Sequence, residues 1–204
     1  MGHPLRARGR RALVGALLAG ALLVTAAADI LAAPDAERAI DKQVIVAATV
    51  DRVWSAWTTR EGIRTFFAPD AEIDARVGGA FHIHMDPLAE LGLKGADDMR
   101  FMALQPPTML SFDWNAPPSQ PETRAQRTFV VVRLADVDGR STRVTLHHAG
   151  WGTGPAWDRT FIYFDRAWGV VLGKLKASFE TGPVDWTEWM DELKKAHGAL
   201  PAAR

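Results

Sequence analysis

Three histidines carry most of the acid–base or metal chemistry that this sequence could support. His148 closes the segment Thr142-Arg143-Val144-Thr145-Leu146-His147-His148, in which Val144, Leu146 and His148 share one parity and therefore one face of a strand. An inward imidazole could act as a general acid or base, or orient the polar head of a ligand. The competing role is a core histidine hydrogen-bonded to its surroundings. Asp113 and Asp158 are the candidate carboxylate partners. His82 and His84 stand at i and i+2 on another strand, with Phe81, Ile83 and Met85 on the opposite face. Two such histidines can contribute to a metal site, but three or four ligands are required and no third lies close in sequence, so solvated or edge histidines are the plainer reading.

Other reactive patterns are missing from the sequence. It holds no cysteine, which removes thiolate catalysis, disulfides and cysteine metal sites. No nucleophile elbow, phosphate-binding loop, zinc-protease helix or dinucleotide fingerprint occurs, and no cofactor is implied. Gly150-Trp151-Gly152-Thr153-Gly154 has the glycines of a phosphate loop without its lysine or spacing, and reads as a turn.

The elements that must position these groups follow from periodicity. Weak alternation over 40–47 predicts a first strand, Thr49 an N-cap, and Val50, Val53, Trp54 and Trp57 a helical face. A second short helix over 60–67 carries Ile63, Phe66 and Phe67, and Pro69 stops it. Strands over 71–77 and 80–85 form a hairpin about Gly78-Gly79. A loop over 86–98 follows, long enough to be a lid. Further strands are expected over 100–105, 109–114, 128–134 and 142–148, with the proline-rich 115–125 as a loop. The inward set of the last pair is Val130, Val132, Leu134, Val144, Leu146 and His148.

From Trp157 the period changes to that of a helix. Trp157, Phe161, Phe164, Trp168, Val171, Leu172, Leu175 and Phe179 form one stripe about 35 Å long at 1.5 Å per residue. Only this helix is long enough to cover a mainly antiparallel sheet of about seven strands, which makes the fold class α+β. A curved sheet around one helix tends to leave a gap, and apolar pockets form in such gaps. Pro183 and a capping Asp185 then introduce a further amphipathic helix with Trp186, Trp189, Met190 and Leu193 on one side. That helix is expected to pack on the domain, with protein or membrane-surface contact as the alternative.

Length and charge bound the rest. The chain has 204 residues, with 24 basic and 24 acidic groups. Residues 1–33 read as a signal peptide: Arg6, Arg8, Arg10 and Arg11 precede an apolar run over 12–24 and then small residues, with cleavage near Ala28 or Ala32. That run is shorter than the about 20 residues of a bilayer-crossing helix, which disfavours a retained anchor. Arg10-Arg11 loosely fits a twin-arginine signal. The expected location is periplasmic or secreted. Cleavage after Ala28 removes four arginines and no acid, so the mature domain is acidic and no nucleic acid is expected as a partner.

Together, Val53-Trp54-Ser55-Ala56-Trp57-Thr58, Gly78-Gly79-Ala80-Phe81, Pro107-Thr108-Met109-Leu110-Ser111-Phe112-Asp113-Trp114, Thr142-Arg143-Val144-Thr145-Leu146 and His148-Ala149-Gly150-Trp151-Gly152 resemble a START-like (SRPBCC) domain. Trp157-Asp158 and Trp168-Gly169-Val170-Val171-Leu172 complete the pattern of its branch named after the activator of the heat-shock protein 90 ATPase. The resemblance covers residues 40–180 and implies a helix-grip fold with an internal cavity. Across the superfamily such cavities take lipids, polyketides and other apolar ligands, whereas the eukaryotic namesake binds a chaperone. The expected organisation is a leader over 1–33, the START-like domain over 39–180 and the added helix and tail over 183–204. The expected function is non-covalent binding of a hydrophobic small molecule or lipid, with Trp54, Trp57, Phe66, Phe81, Phe112, Trp114, His148, Phe161, Phe164 and Trp168 as candidate lining. The alternatives are a cyclase or hydratase using His148 with a carboxylate, and a chaperone-like protein-interaction module using the sheet edge or the Trp186/Trp189 helix.

Overall fold

The computed structural model describes residues 37–198, so the expected leader and cleavage site and the last residues of the tail lie outside the described residues. Strand β1 (Ile40–Val46) leads into helices α1 (Val50–Thr58) and α2 (Arg60–Arg64). A small meander follows, β2 (Asp70–Ile73), β3 (Phe81–His84) and β4 (Gly95–Ala96). Strands β5 (Phe101–Gln105) and β6 (Met109–Trp114), the short helix α3 (Pro121–Arg124), and strands β7 (Thr128–Asp136) and β8 (Thr142–Ala149) come next. The chain then enters α4 (Pro155–Glu180) and α5 (Thr187–Gly198).

Where alternation reads as about seven strands in one sheet, the strands divide into an antiparallel sheet ordered β1-β8-β7-β6-β5 and a smaller one ordered β2-β3-β4. The added strand is β4, too short to show a period. The two sheets meet at Gly79–Ala80 and Met99–Phe101, where Phe81 N–H donates to Met99 O (2.8 Å) and Phe101 N–H to Gly79 O (3.0 Å). β5 is irregular between Phe101 and Ala103, which takes it out of line with its neighbours.

The concave face of the large sheet is apolar for the reason its pattern implies: Val130, Val132, Leu134, Val144, Leu146 and His148 are all buried. α4 lies on that face through Phe164, Trp168, Val171, Leu172 and Leu175, and Lys42 of β1 pairs with Asp165 at 2.6 Å. Its 26 residues begin two positions before Trp157, because Pro155 stands near the start, where a missing N–H leaves no helical bond unmade. The helix-grip architecture is therefore present, with five principal strands around one long helix.

Below the grip the core is packed with aromatics rather than hollow. Trp57 meets Phe66 edge-on at 5.1 Å, and Phe81 stacks on Phe112 at 4.1 Å and tilts against Phe101 at 4.9 Å. Each such ring removes a large apolar area from water, a gain of about 1.5 to 3 kcal/mol per side chain.

Candidate functional site

An apolar gap lies where the small meander, the end of β6 and the middle of α4 converge. It is a cavity of about 130 Å³. α4 supplies Tyr163, Phe164, Ala167, Trp168 and Val171, which recur at helical spacing and so share one side. β3 and the residue after it give Ile83 and Met85, and β4 gives Gly95 and Ala96. Phe67, beyond α2, and Trp114, Asn115, Pro117 and Pro118 complete the wall. Phe67, Ile83, Trp114, Phe164 and Trp168 form a buried floor, whereas Met85, Pro117, Pro118 and Tyr163 are partly exposed at the rim. Gly95 has φ +145°, and a Cβ there would lie 2.5 Å from the Ile83 carbonyl oxygen, so only glycine lets β4 come this close.

Two wall residues carry buried polar atoms without a protein partner, the indole N–H of Trp114 and the amide oxygen of Asn115. Tyr163 is the only titratable side chain in the wall, and burial raises its pKa and keeps it a neutral phenol.

The two loops at the mouth are tied by one side chain. The Arg124 guanidinium donates to Asp97 Oδ2 (3.1 Å) and Gly92 O (2.6 Å) in the loop before β5, and to Ala116 O in the loop after β6. Asp97 also accepts from the N–H groups of Gly92 (3.2 Å) and Gly95 (3.1 Å). The proline-rich loop read from composition thus contains α3, whose arginine fixes the position of β4.

His148 lies beside this cavity and does not line it. The ring is fully buried, at 0 % exposure. Nδ1 accepts from the Trp168 indole N–H at 2.9 Å; since indole can only donate, Nδ1 is unprotonated and Nε2 bears the hydrogen. That Nε2–H donates to Thr128 Oγ1 at 2.7 Å, and the hydroxyl donates on to Trp114 O at 3.2 Å. Burial pushes the pKa from 6.5 down to about 3, so the ring is neutral through the ordinary pH range. Neither candidate carboxylate reaches it. Asp113 accepts from the Arg100 N–H and faces Arg127 at 3.8 Å, and Asp158 pairs with Arg38 at 2.6 Å. Both ring nitrogens are engaged, leaving no atom to exchange a proton with a substrate.

His82 and His84 each face a carboxylate across the β2–β3 pair instead of each other. His82 Nδ1 is 3.2 Å from Glu72 Oε2, and His84 Nδ1 is 3.8 Å from Asp70 Oδ2, beyond hydrogen-bond reach. The His84 pKa is lowered, chiefly by burial, with Asp70 opposing. Among the described residues no three histidine, cysteine or carboxylate side chains are grouped so as to hold a metal ion.

Of the ten candidate lining residues, Trp114, Phe164 and Trp168 line the cavity. Trp57, Phe66, Phe81 and Phe112 lie in the filled core, and Trp54 packs against it. Phe161 lies under the Arg38 guanidinium (3.9 Å) and beside Trp151 (5.2 Å). Phe67, Tyr163 and Asn115 were the sequence's unmarked contributors. Helical spacing reaches Tyr163 only through its neighbours on α4, and no periodic signal exists for Asn115, the first residue after a strand.

The sequence profile described as Activator of Hsp90 ATPase homolog 1-like protein matches residues 47–180. The chain belongs to this family. No curated protein sequence matches it. Among solved structures, a protein from Mesorhizobium loti superposes with a TM-score of 0.57 at 20% identity, covering 72% of this chain and 100% of its own. The Aha1 dimer from Colwellia psychrerythraea gives 0.55 at 19%, covering 71% and 98%. CalU16 from Micromonospora echinospora gives 0.52 at 26% identity, covering 79% and 84%. As an Activator of Hsp90 ATPase homolog 1-like protein, the chain carries a START-like domain of the ligand-binding type.

Helix α5 lies beyond the matched region and is docked on the domain. Trp186 Nε1–H donates to Arg64 O (2.7 Å) and Trp189 Nε1–H to Met85 O (2.8 Å), while His197 Nε2 lies 2.8 Å from Asp86 Oδ2. Lys174 of α4 sits over the Trp186 ring at 4.6 Å. Trp189 keeps 48 % of its surface exposed.

Proposed function

We propose that this protein binds a small apolar molecule non-covalently in the cavity beneath α4. The supporting observation is the wall: a cavity of about 130 Å³, open at its rim and lined mainly by aromatic, aliphatic and proline side chains, with a neutral Tyr163 as its one titratable group. Its volume is close to that of an engineered cavity of about 150 Å³ that takes up benzene, which points to a single ring. An extended lipid chain is a poorer fit to that volume. Acid–base catalysis through His148 has no supporting geometry, since both ring nitrogens are bonded within the protein. Docking of a protein or membrane through α5 ranks below ligand binding because the indole N–H groups of Trp189 and of Trp186, just before the helix, are held by the chain's own carbonyls.

Titration of the full chain with toluene, followed by ligand-detected NMR, tests this reading. Toluene should bind the native protein, and Ala167→Leu, which fills the cavity from α4 in a helix-compatible way, should weaken binding at least about tenfold while leaving the fold intact. The reading falls if the native protein takes up no toluene, or if the filled variant binds it equally well.

A further inference from the structure

Two segments that border the cavity mouth expose large apolar side chains to water. The loop over 86–94 begins after the rim residue Met85 and ends before the wall residue Gly95, and its base is closed by Asp86 N–H donating to Lys94 O (2.9 Å). Leu88, Leu91 and Leu93 stand exposed on it, Leu91 with 89 % of its surface in water. On the other side of the mouth, Tyr163 and Ala167 of α4 line both the cavity and an open depression on the outside of the helix. The rest of that depression is Arg159, Ile162, Arg166 and Val170, and Ile162, Tyr163 and Val170 are exposed. Steps of three and four residues place these side chains on one outer arc of α4. That arc holds no acid. Asp158 and Asp165 lie on its flank, paired with Arg38 and with Lys42 of β1, each at 2.6 Å. Arg159 meets Glu122 at 2.7 Å, whereas Arg166, between Ile162 and Val170, makes no ion pair among the described residues. Basic and acidic groups are equal over the whole chain, at 24 each, so an acid-free arc is a local feature and not the overflow of a basic protein.

We infer that this face docks on an anionic lipid surface, with the tip of the 86–94 loop entering the interface and Arg166 and Arg159 meeting headgroup phosphates. Exposed leucines beside cations are the combination with which peripheral segments hold an anionic bilayer: the apolar groups leave water and the cations find fixed negative charge. The loop adds reach more than charge, since its exposed Glu90 is offset by Lys94. The shape favours lipid over a protein partner. Every residue of the outer depression comes from the single helix α4, so this face presents a ridge and a loop tip and no pocket between elements for a partner's anchoring side chain. A bilayer interface deforms around such a surface and needs no matching relief. The inference rests on the ligand-binding reading above for its purpose: small apolar molecules concentrate in a bilayer, and this face sets the cavity mouth against it.

The experiment is flotation of the full chain with vesicles of phosphatidylcholine alone or mixed with phosphatidylglycerol. Binding to the anionic vesicles should be at least about tenfold tighter than to the neutral ones, and should be lost on raising the salt to about 0.5 M, which screens the phosphates. Leu91→Glu and Arg166→Glu should each weaken binding at least about tenfold. Val137→Glu should not, although Val137 is exposed too: it follows β7, at the opposite end of that strand from Thr128, which pairs with the wall residue Trp114. Leu91 is absent from the cavity wall, so Leu91→Glu should bind toluene as the native chain does. No binding to either vesicle, binding indifferent to lipid charge, or an equal loss in Val137→Glu overturns the docking face. Self-association that Leu91→Glu abolishes, without vesicle binding, gives the face to a second copy and overturns the lipid partner. Failure of the vesicles with toluene still bound leaves the cavity reading standing, and failure of toluene with the vesicles still bound leaves the docking face. Should Leu91→Glu misfold, Arg166→Glu decides.

Discussion

Two tryptophans whose rings lie 5.4 Å apart, Trp114 and Trp168, mark two regions built from the same materials to different ends. The Trp168 N–H enters a closed relay through His148 and Thr128 that finishes on the backbone oxygen of Trp114. The Trp114 N–H meets nothing in the protein, nor does the Asn115 oxygen. Both regions are buried and aromatic. In one, every polar atom has a partner of fixed direction, so the region ties β7, β8 and α4 together. In the other the pairing is incomplete, which makes a poorer structural joint.

That contrast is most severely tested by acid. The unfolded chain protonates an ordinary imidazole near pH 6.5, whereas folded His148 does so only at about 3. The neutral ring's contribution is therefore complete above about pH 6.5 and is lost as pH falls towards 3, an effect on the order of 5 kcal/mol if His148 acts alone. Urea unfolding of the native protein and of His148→Gln should show a stability gap that narrows across this window. A gap independent of pH would remove the relay from the account of the fold.

Arg124→Met should have an intermediate effect, a loss of about 2 kcal/mol in the same unfolding measurement, because Asp97 and two loop carbonyls lose a partly buried cation. Hydrogen exchange at Gly92 and Gly95 should accelerate while the β7–β8 amides stay protected. Equal acceleration in both places would show that the mouth and the relay open as one unit. The smallest effect is expected from Asn115→Leu, whose oxygen makes no bond in the protein: a stability change of less than about 1 kcal/mol, of either sign, read from the urea midpoint. A loss of several kcal/mol would place Asn115 in the structural class with His148.

Much of the fold could be read from the sequence because it rests on local periodicity. Parity identified the concave face from Val130 to His148, and the three-and-four spacing identified the buried stripe of α4. Parity could also aim His148 inward, but the donor it would meet there, Trp168 Nε1–H, sits on an element 20 residues away, and nothing local encodes that meeting. The cavity was less legible still. It exists where side chains from several elements fail to fill the space between them, a property of their summed shapes rather than of any one pattern. Hence Phe66 is walled into the core and Phe67, its immediate neighbour, lines the gap. β4 escaped notice because two residues have no period, although Gly95 is the position that allows the wall to close.

The docking of α5 has a bearing on comparisons within the family. Trp189 holds the carbonyl of Met85, a rim residue, yet its helix begins at Thr187, after the family match has ended at residue 180. Part of the scaffold that shapes the mouth is therefore supplied from outside the shared domain. This chain cut back to the matched region would present a differently braced mouth, so a binding measurement on such a fragment should begin by asking what stands behind Met85.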